Sequence, residues 1–199
     1  MEEKNGDKLN ELLQRYNLDL KKLEKEQKTL AKGINLKDSM DFSRVVKIGG
    51  CASVFYQNKI ISAIVVLDSN LELIEEKYFT DKIRFPYIPG FNSYRELPAI
   101  LNCFQQLEEK PEVMFISGPG TVHPVLGLAS HFSISAGVPS IGVSDSVIEG
   151  DAKGEDLLIN KKVVGKIVQT KTGSRPLVVS PGSMISVKSA YELTKKFVR

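Results

Sequence analysis

Two prolines three residues apart, an aromatic between them and a carboxylate seven residues further on form the most chemically suggestive arrangement in the chain. It reads Phe85-Pro86-Tyr87-Ile88-Pro89-Gly90, and Tyr94-Arg95-Glu96 follows. Proline fixes φ and biases the residue before it toward extended backbone, so the segment is stiff and holds Tyr87 outward. Leu97, Ile100, Leu101, Phe104 and Leu107 continue at helical spacing and place Glu96 at or near a helix N-terminus. A rigid aromatic wedge beside an acid suits a site that pries something apart next to a metal ion. The same residues also read as a surface turn whose glutamate complements the helix macrodipole. A second candidate stretch, Gly118-Pro119-Gly120, leads into a loop carrying His123 and Pro124.

Composition narrows the field. With 199 residues, 42% hydrophobic content and a net charge of +3, the chain can bury one sizeable core, and its mild charge does not announce a nucleic-acid partner. The charge is unevenly spread: from Asp151 to Arg199 ten Lys and Arg face four Asp and Glu. That excess can follow a phosphate backbone or simply be solvated. Cys51 and Cys103 lie in apolar runs, which points to a reducing cytosolic compartment. The longest apolar run, Ile60 to Leu67, is too short to span a membrane. Two histidines and two cysteines without ligand spacing make a zinc site unexpected.

The positioning elements follow from periodicity. Residues 2 to 33 read as two charged helices broken near Asn17 and Asp19 and ended by Gly33. Val45 to Tyr56, Ile60 to Leu67 and Leu71 to Phe79 read as an antiparallel meander, with Gly49 and Gly50 marking a bulge or a close approach. A helix from about Tyr94 to Lys110, a strand at Val113 to Ser117, a helix at Leu126 to Phe132 and a strand at Ser140 to Val143 come next. Lys162 to Thr170 and Leu177 to Ser180 form a further pair, and Pro181-Gly182 leads to a last helix from Ser186. Three antiparallel strands and then alternating helices and parallel strands make an α/β chain with a mixed sheet, in the order of the ribonuclease H-like three-layer α/β/α fold. One domain spanning 1–199 is expected, with residues 1–33 packed on it.

In this order the motifs resemble those of the endonuclease V family, over about residues 18 to 199. Members of that family cut DNA or RNA one bond to the 3′ side of a deaminated purine such as inosine. Tyr-Ile-Pro-Gly at 87 to 90 with Arg95-Glu96 resembles the family's wedge and glutamate. Gly-x-Gly and His-Pro at 118 to 124, Gly-Leu-Ala-Ser-His at 127 to 131 and Val-Pro-Ser-Ile-Gly-Val at 138 to 143 resemble its central block. Ser180-Pro181-Gly182 with Ile185-Ser186 resembles its C-terminal block. The resemblance implies a purine pocket built on the backbone of Gly90 and Gly118. It also implies that Tyr87, Ile88 and Pro89 hold strands apart while the base is turned out of the stack.

The family's chemistry uses Mg²⁺ held by carboxylates, and here the resemblance breaks. Glu96 is one such ligand, but the two aspartates the family pattern leads one to expect fall on Ala52 and Ser117. The family's lysine falls on Asp145 and its histidine on Ser183, while Val125 and Leu126 stand where arginine is usual. The implied protein keeps the nucleic-acid surface, binds weakly, holds no tight Mg²⁺ and is catalytically impaired or inactive. Two alternatives stand beside it. In one, the metal site has migrated to Asp145, Glu149 or Asp151 beside Glu96, with His123 assisting; in the other, the chain is a non-catalytic protein-interaction subunit. Ala52 and Ser117 are expected side by side on adjacent central strands facing Glu96, in a monomer.

Overall fold

β-Branched residues concentrate between Val45 and Leu67, and the pleat they favour builds the first hairpin of a computed structural model that describes residues 2–145 and 150–197. Strand β1 (Lys47–Tyr56) pairs antiparallel with β2 (Lys59–Asp68), from Lys47↔Asp68 to Tyr56↔Lys59 across the Gln57-Asn58 turn. Strand β3 (Leu73–Lys82) adds antiparallel to β2, so the meander is as its turns imply. Strands β4 (Val113–Ser117) and β5 (Ser140–Ser144) then join parallel to β1. Strands β6 (Asp151–Lys153), β7 (Asp156–Ile159), β8 (Lys162–Val168) and β9 (Leu177–Ser183) complete one sheet in the order β3-β2-β1-β4-β5-β9-β8-β7-β6.

The later strands depart from the expected parallel alternation. β9 pairs antiparallel with β5, and β8, β7 and β6 follow antiparallel, so parallel pairing is confined to β1, β4 and β5. Short tight turns such as Asn160-Lys161, with φ of 50° and 63°, can return a chain only antiparallel. Pro181-Gly182 is not the turn before the last helix but lies within β9, where Ile141 pairs Pro181 and Ser140 pairs Ser183. A bulge at that register shift leaves Gly182 as the extra residue and spares the proline a ladder bond it cannot make.

Helices α1 (Glu2–Arg15) and α2 (Leu20–Ala31) precede the sheet, and Asp19 caps α2 by accepting the Lys22 N–H at 3.1 Å. Helix α3 (Asn92–Gln105) starts before Tyr94, so Glu96 sits in its second turn rather than at its N-terminus. Helix α4 (Leu128–Ala136) ends on Gly137 in the left-handed conformation, and α5 (Val187–Phe197) closes the chain. Because strand side chains alternate between faces, Cys51, Met114 and Ile116 meet α3 and α4 through Leu97, Ile100, Cys103, Phe104 and Phe132. Ile48, Val113, Ile141 and Val179 meet Phe42, Ala190 and Leu193 on the opposite side. These are the three layers of a ribonuclease H-like α/β/α fold. No helix among the described residues is long and apolar enough to cross a membrane.

The layers leave little room where the Gly118–Gly120 loop crosses the sheet. A Cβ at Gly142 would stand 2.6 Å from the Gly118 carbonyl oxygen and press on the Gly120 nitrogen, both backbone atoms that cannot swing aside. Gly142→Ala is therefore expected to cost about 3 kcal/mol of stability, near the upper end for overpacking. Gly137→Ala, where the Cβ meets nothing but φ is 68°, should cost only about 1 kcal/mol. Denaturant midpoints of the two variants measure the difference, and equal midpoints would contradict the close approach.

Candidate functional site

Between β3 and α3 the backbone makes a tight turn whose chemistry is written in its residues. Phe91 donates its N–H to the Ile88 carbonyl at 3.0 Å, and Gly90 has a φ of 83°. Proline at the second position and glycine at the third make this a type II β-turn. Its flanks are anchored: Phe85, Ile88 and Phe91 are buried and pack with Leu9, Leu13, Leu18, Leu20 and Leu23 of the N-terminal segment and with Tyr94. Tyr87 remains 60% exposed and Pro89 is exposed too. Ile88, expected to help hold strands apart, is instead 3% exposed and belongs to the anchor, because the turn alternates its side chains between helix and solvent.

A cleft of about 400 Å³ opens beside this turn. It gathers Tyr87, Pro89 and Gly90 from the turn, Asn92, Ser93 and Glu96 from α3, and Gly118, Pro119, His123, Pro124, Leu126 and Leu128 from the crossing loop. Loop residues 22 or more positions beyond Glu96 thus share one wall with it. Burial raises the Glu96 carboxyl from 4.5 to about 7, an effect only partly offset by the neighbouring Arg95. The Arg95 guanidinium lies 4.0 Å from the centre of the Phe55 ring. His123 Nδ1 accepts the N–H groups of Val125 at 3.2 Å and Leu126 at 3.0 Å, which puts the neutral ring's proton on Nε2. Behind the cleft, buried His131 meets the Ser93 hydroxyl at 3.2 Å, and burial lowers its pKa to about 4, so the ring is neutral. Ser93 and Asn92 were not singled out from sequence, and His131 entered only within the Gly-Leu-Ala-Ser-His block, because their contacts depend on α3 and α4 meeting.

Ala52 and Ser117 are neighbours, as expected: Cys51 pairs with Ile116, and these two residues come next in register. Strand alternation puts both on the sheet face opposite α3. They line a shallow cleft of about 430 Å³ with Gly50, Cys51, Ala63, Val65, Phe115, Ile116 and Val143. On β1 the thiol of Cys51 is pushed up to about 12 by burial first, then by Cys103 and Glu96.

The sequence model of a known family, described as Endonuclease V, matches residues 28–199. The chain belongs to the Endonuclease V family. An Endonuclease V from Dictyoglomus thermophilum is 36% identical over 180 residues, covering 85% of this chain and 78% of that relative. The crystal structure of Endonuclease V from Bacillus subtilis has a TM-score of 0.86 at 25% identity, over 92% of this chain and 84% of that one. Ciona intestinalis Endonuclease V, solved with a 24mer DNA containing an inosine followed by a ribo-adenosine, shares the fold with a TM-score of 0.82 at 23% identity, over 89% and 88% of the two chains.

A Mg²⁺ ion, which Endonuclease V chemistry implies, wants several hard oxygen ligands. Among the described residues no group of three His, Cys, Asp or Glu is placed to hold a metal. Glu96 offers one carboxyl, Ala52 no donor and Ser117 a neutral hydroxyl, so this donor set does not fit the ion. The other candidates do not repair it. Asp145 is exposed just past β5 and lines neither cleft. Asp151 begins β6 at the far edge of the sheet, beyond β9, β8 and β7, and Glu149 lies outside the described residues. Ser183 pairs with Ser140 at the end of β9 away from Ser144 and Ser117, buried and accepting the Asn35 N–H at 2.9 Å.

Glu96 gives the site a pH signature. Its folded pKa of about 7 lies above its ordinary 4.5, so the fold holds a proton that the unfolded chain has released. Its presence therefore costs nothing below about pH 4.5, and stability falls as pH climbs from there toward 7. Glu96→Gln should match the parent near pH 4 and exceed it above pH 7 by on the order of 2 kcal/mol, allowing for partial exposure. Denaturation midpoints at the two ends read this, and a gap that does not widen with pH would contradict it.

Proposed function

We propose that this protein recognises nucleic acid carrying a deaminated purine, such as inosine, in the cleft beside the type II turn, and that it cleaves the strand poorly or not at all. The observation that carries the reading is a contrast within one site. The turn, its exposed Tyr87 and the glycines Gly90 and Gly118 converge on a base-sized cleft, while the donors around Glu96 do not fit the ion the family's hydrolysis needs.

Physically the two functions separate. Prying a base out of its stack needs a stiff protrusion, and Tyr87 and Pro89 supply an exposed ring and a fixed φ on a buried hydrophobic base. Reading the base needs backbone polar groups close to it, which glycine permits at positions 90 and 118 where φ is 83° and 153°. Breaking a phosphodiester needs charge placed to meet charge on the phosphate, and a single half-buried carboxyl gives none of the required sign. We read the protein as acting alone, as a monomer of the reducing cytosol, with two buried free cysteines and residues 1–33 belonging to the same domain.

The test is to incubate labelled strands carrying either inosine or adenosine with the purified protein and Mg²⁺ or Mn²⁺, measuring retention and cleavage together. Salt-sensitive retention that favours inosine, with little or no product, is expected. Tyr87→Ala should weaken retention by on the order of tenfold, the scale of one lost base–aromatic stack. Rapid metal-dependent cleavage would overturn the impaired-enzyme reading, and equal retention of both strands would overturn base recognition.

A further inference from the structure

Strand β3 ends the sheet, and its outer edge has no strand beside it among the described residues. Which of its peptide groups face outward follows from one bond at its end: Ile83 donates its N–H to the Asn58 carbonyl at 2.9 Å, on the β2 side. In an antiparallel ladder successive residues turn their N–H and C=O alternately toward and away from a neighbour, so Phe79 and Asp81 also bond toward β2. Glu76, Tyr78, Thr80 and Lys82 turn theirs outward, and the register irregularity of this pair of strands, at Val66/Leu67, lies outside the stretch. The outward Lys82 N–H turns back onto the Asp81 carboxylate at 2.7 Å. Side chains do not seal the edge either: Glu76, Tyr78, Thr80 and Lys82 are all exposed, Tyr78 at 73%. A bare edge invites pairing with another chain, and scattered charge is the usual way to blunt it. Here the charges are ordered, which blunting does not require.

We propose that the β3 edge is an interaction surface whose partner is the same edge of a second copy of this chain, paired antiparallel about a two-fold axis normal to the sheet at Phe79. The outward N–H and C=O of Tyr78 then meet those of the partner's Thr80, and those of Glu76 meet the partner's Lys82, so each outward group finds its complement. The side chains agree with the backbone. Glu76 lies opposite the partner's Lys82 on one face and Lys77 opposite the partner's Asp81 on the other, each twice by symmetry, while Phe79 meets its own copy at the axis. Neighbouring registers lose this match. Centred on Tyr78, the pairing sets Glu75 against Asp81; centred on Lys77, it sets two lysines together; centred on Thr80, it leaves Lys77 and Asp81 opposite Ile83 and Phe79. Self-complementary charge is what selects a second copy over an unrelated peptide. The dilute protein is the monomer that acts alone in the reading above, and pairing on concentration goes beyond that reading.

The experiment uses the full chain without nucleic acid, so its outcome is independent of base recognition. Weight-average mass from sedimentation equilibrium should rise from one chain toward two as concentration goes from about 1 µM to about 1 mM. It should stop there, because a two-fold pair uses both β3 edges. A mass that stays at one chain throughout, or grows past two, overturns the proposal. Glu76→Lys sets lysine against lysine at both ends of the pair and should raise the dissociation constant ~10-fold, the scale of two cross-strand pairs changing sign. Adding Lys82→Glu restores the match in reverse and should bring the constant back to within about threefold of the parent. A single variant that pairs as well as the parent, or a double variant that pairs no better than the single one, overturns the proposal. Thr80→Pro removes an outward N–H and leaves the ladder to β2 intact, so it should melt as the parent does and stay one chain. Undiminished pairing in that variant overturns the proposal as well.

Discussion

Parallel pairing of β1 with β4 is the constraint on which the rest of the molecule hangs. It aligns Cys51 with Ile116, and the pleat then sends these two side chains into the layer under α3 while their successors, Ala52 and Ser117, open on the other face. The same pairing ends β4 where Gly118 must turn, and Gly118 donates its N–H to Val143 so that the turn stays tied to β5. The crossing loop is pressed between Gly142 and β9, with Thr121 N–H on the Pro181 carbonyl at 2.9 Å and Gly120 N–H on Ser180 Oγ at 3.0 Å. Glycine at these places is a condition of the loop's path, and the path is what brings His123 to the cleft.

The turn between β3 and α3 works on a different physical footing. It is a protrusion, so it cannot be stabilised by being surrounded. Instead its inner side chains are committed to a satellite core with the N-terminal segment, and its outer side chains are left in water. That division explains why Ile88 is buried while Tyr87 and Pro89, on either side, are not. It also ties residues at the start of the chain to a site assembled some 60 positions later, through hydrophobic contact and through the amide of Gln27.

Electrostatics in the cleft run toward neutrality. Burial raises Glu96 and lowers His131, so each favours its neutral form more than it would in water, and the thiol of Cys51 stays protonated. The shallow cleft that holds Ala52 and Ser117 is otherwise lined by Gly50, Cys51, Ala63, Val65, Phe115, Ile116 and Val143, none of them a carboxylate.

The meander, the α/β order, the wedge-like turn and the family were all legible in the amino-acid order, because each is carried by local signals: β-branched runs, two-residue turns, prolines and glycines at fixed offsets. The missing donors were legible too, since Ala52 and Ser117 lack carboxylates in any conformation. The antiparallel return of β9 through β6 and the continuation of β9 across Pro181 were not, because pairing direction is settled between strands and a bulge is visible only against its partner. Nor could residue order show that Ser183 pairs with Ser140 rather than with Ser144, that Asp151 begins the edge strand, or that Ala52 opens on the other face, since these follow from register and strand order. Gln27 looked like one more polar residue on a charged helix. Folding made it a member of the site, by burying that amide against the Gly90 carbonyl 63 positions away.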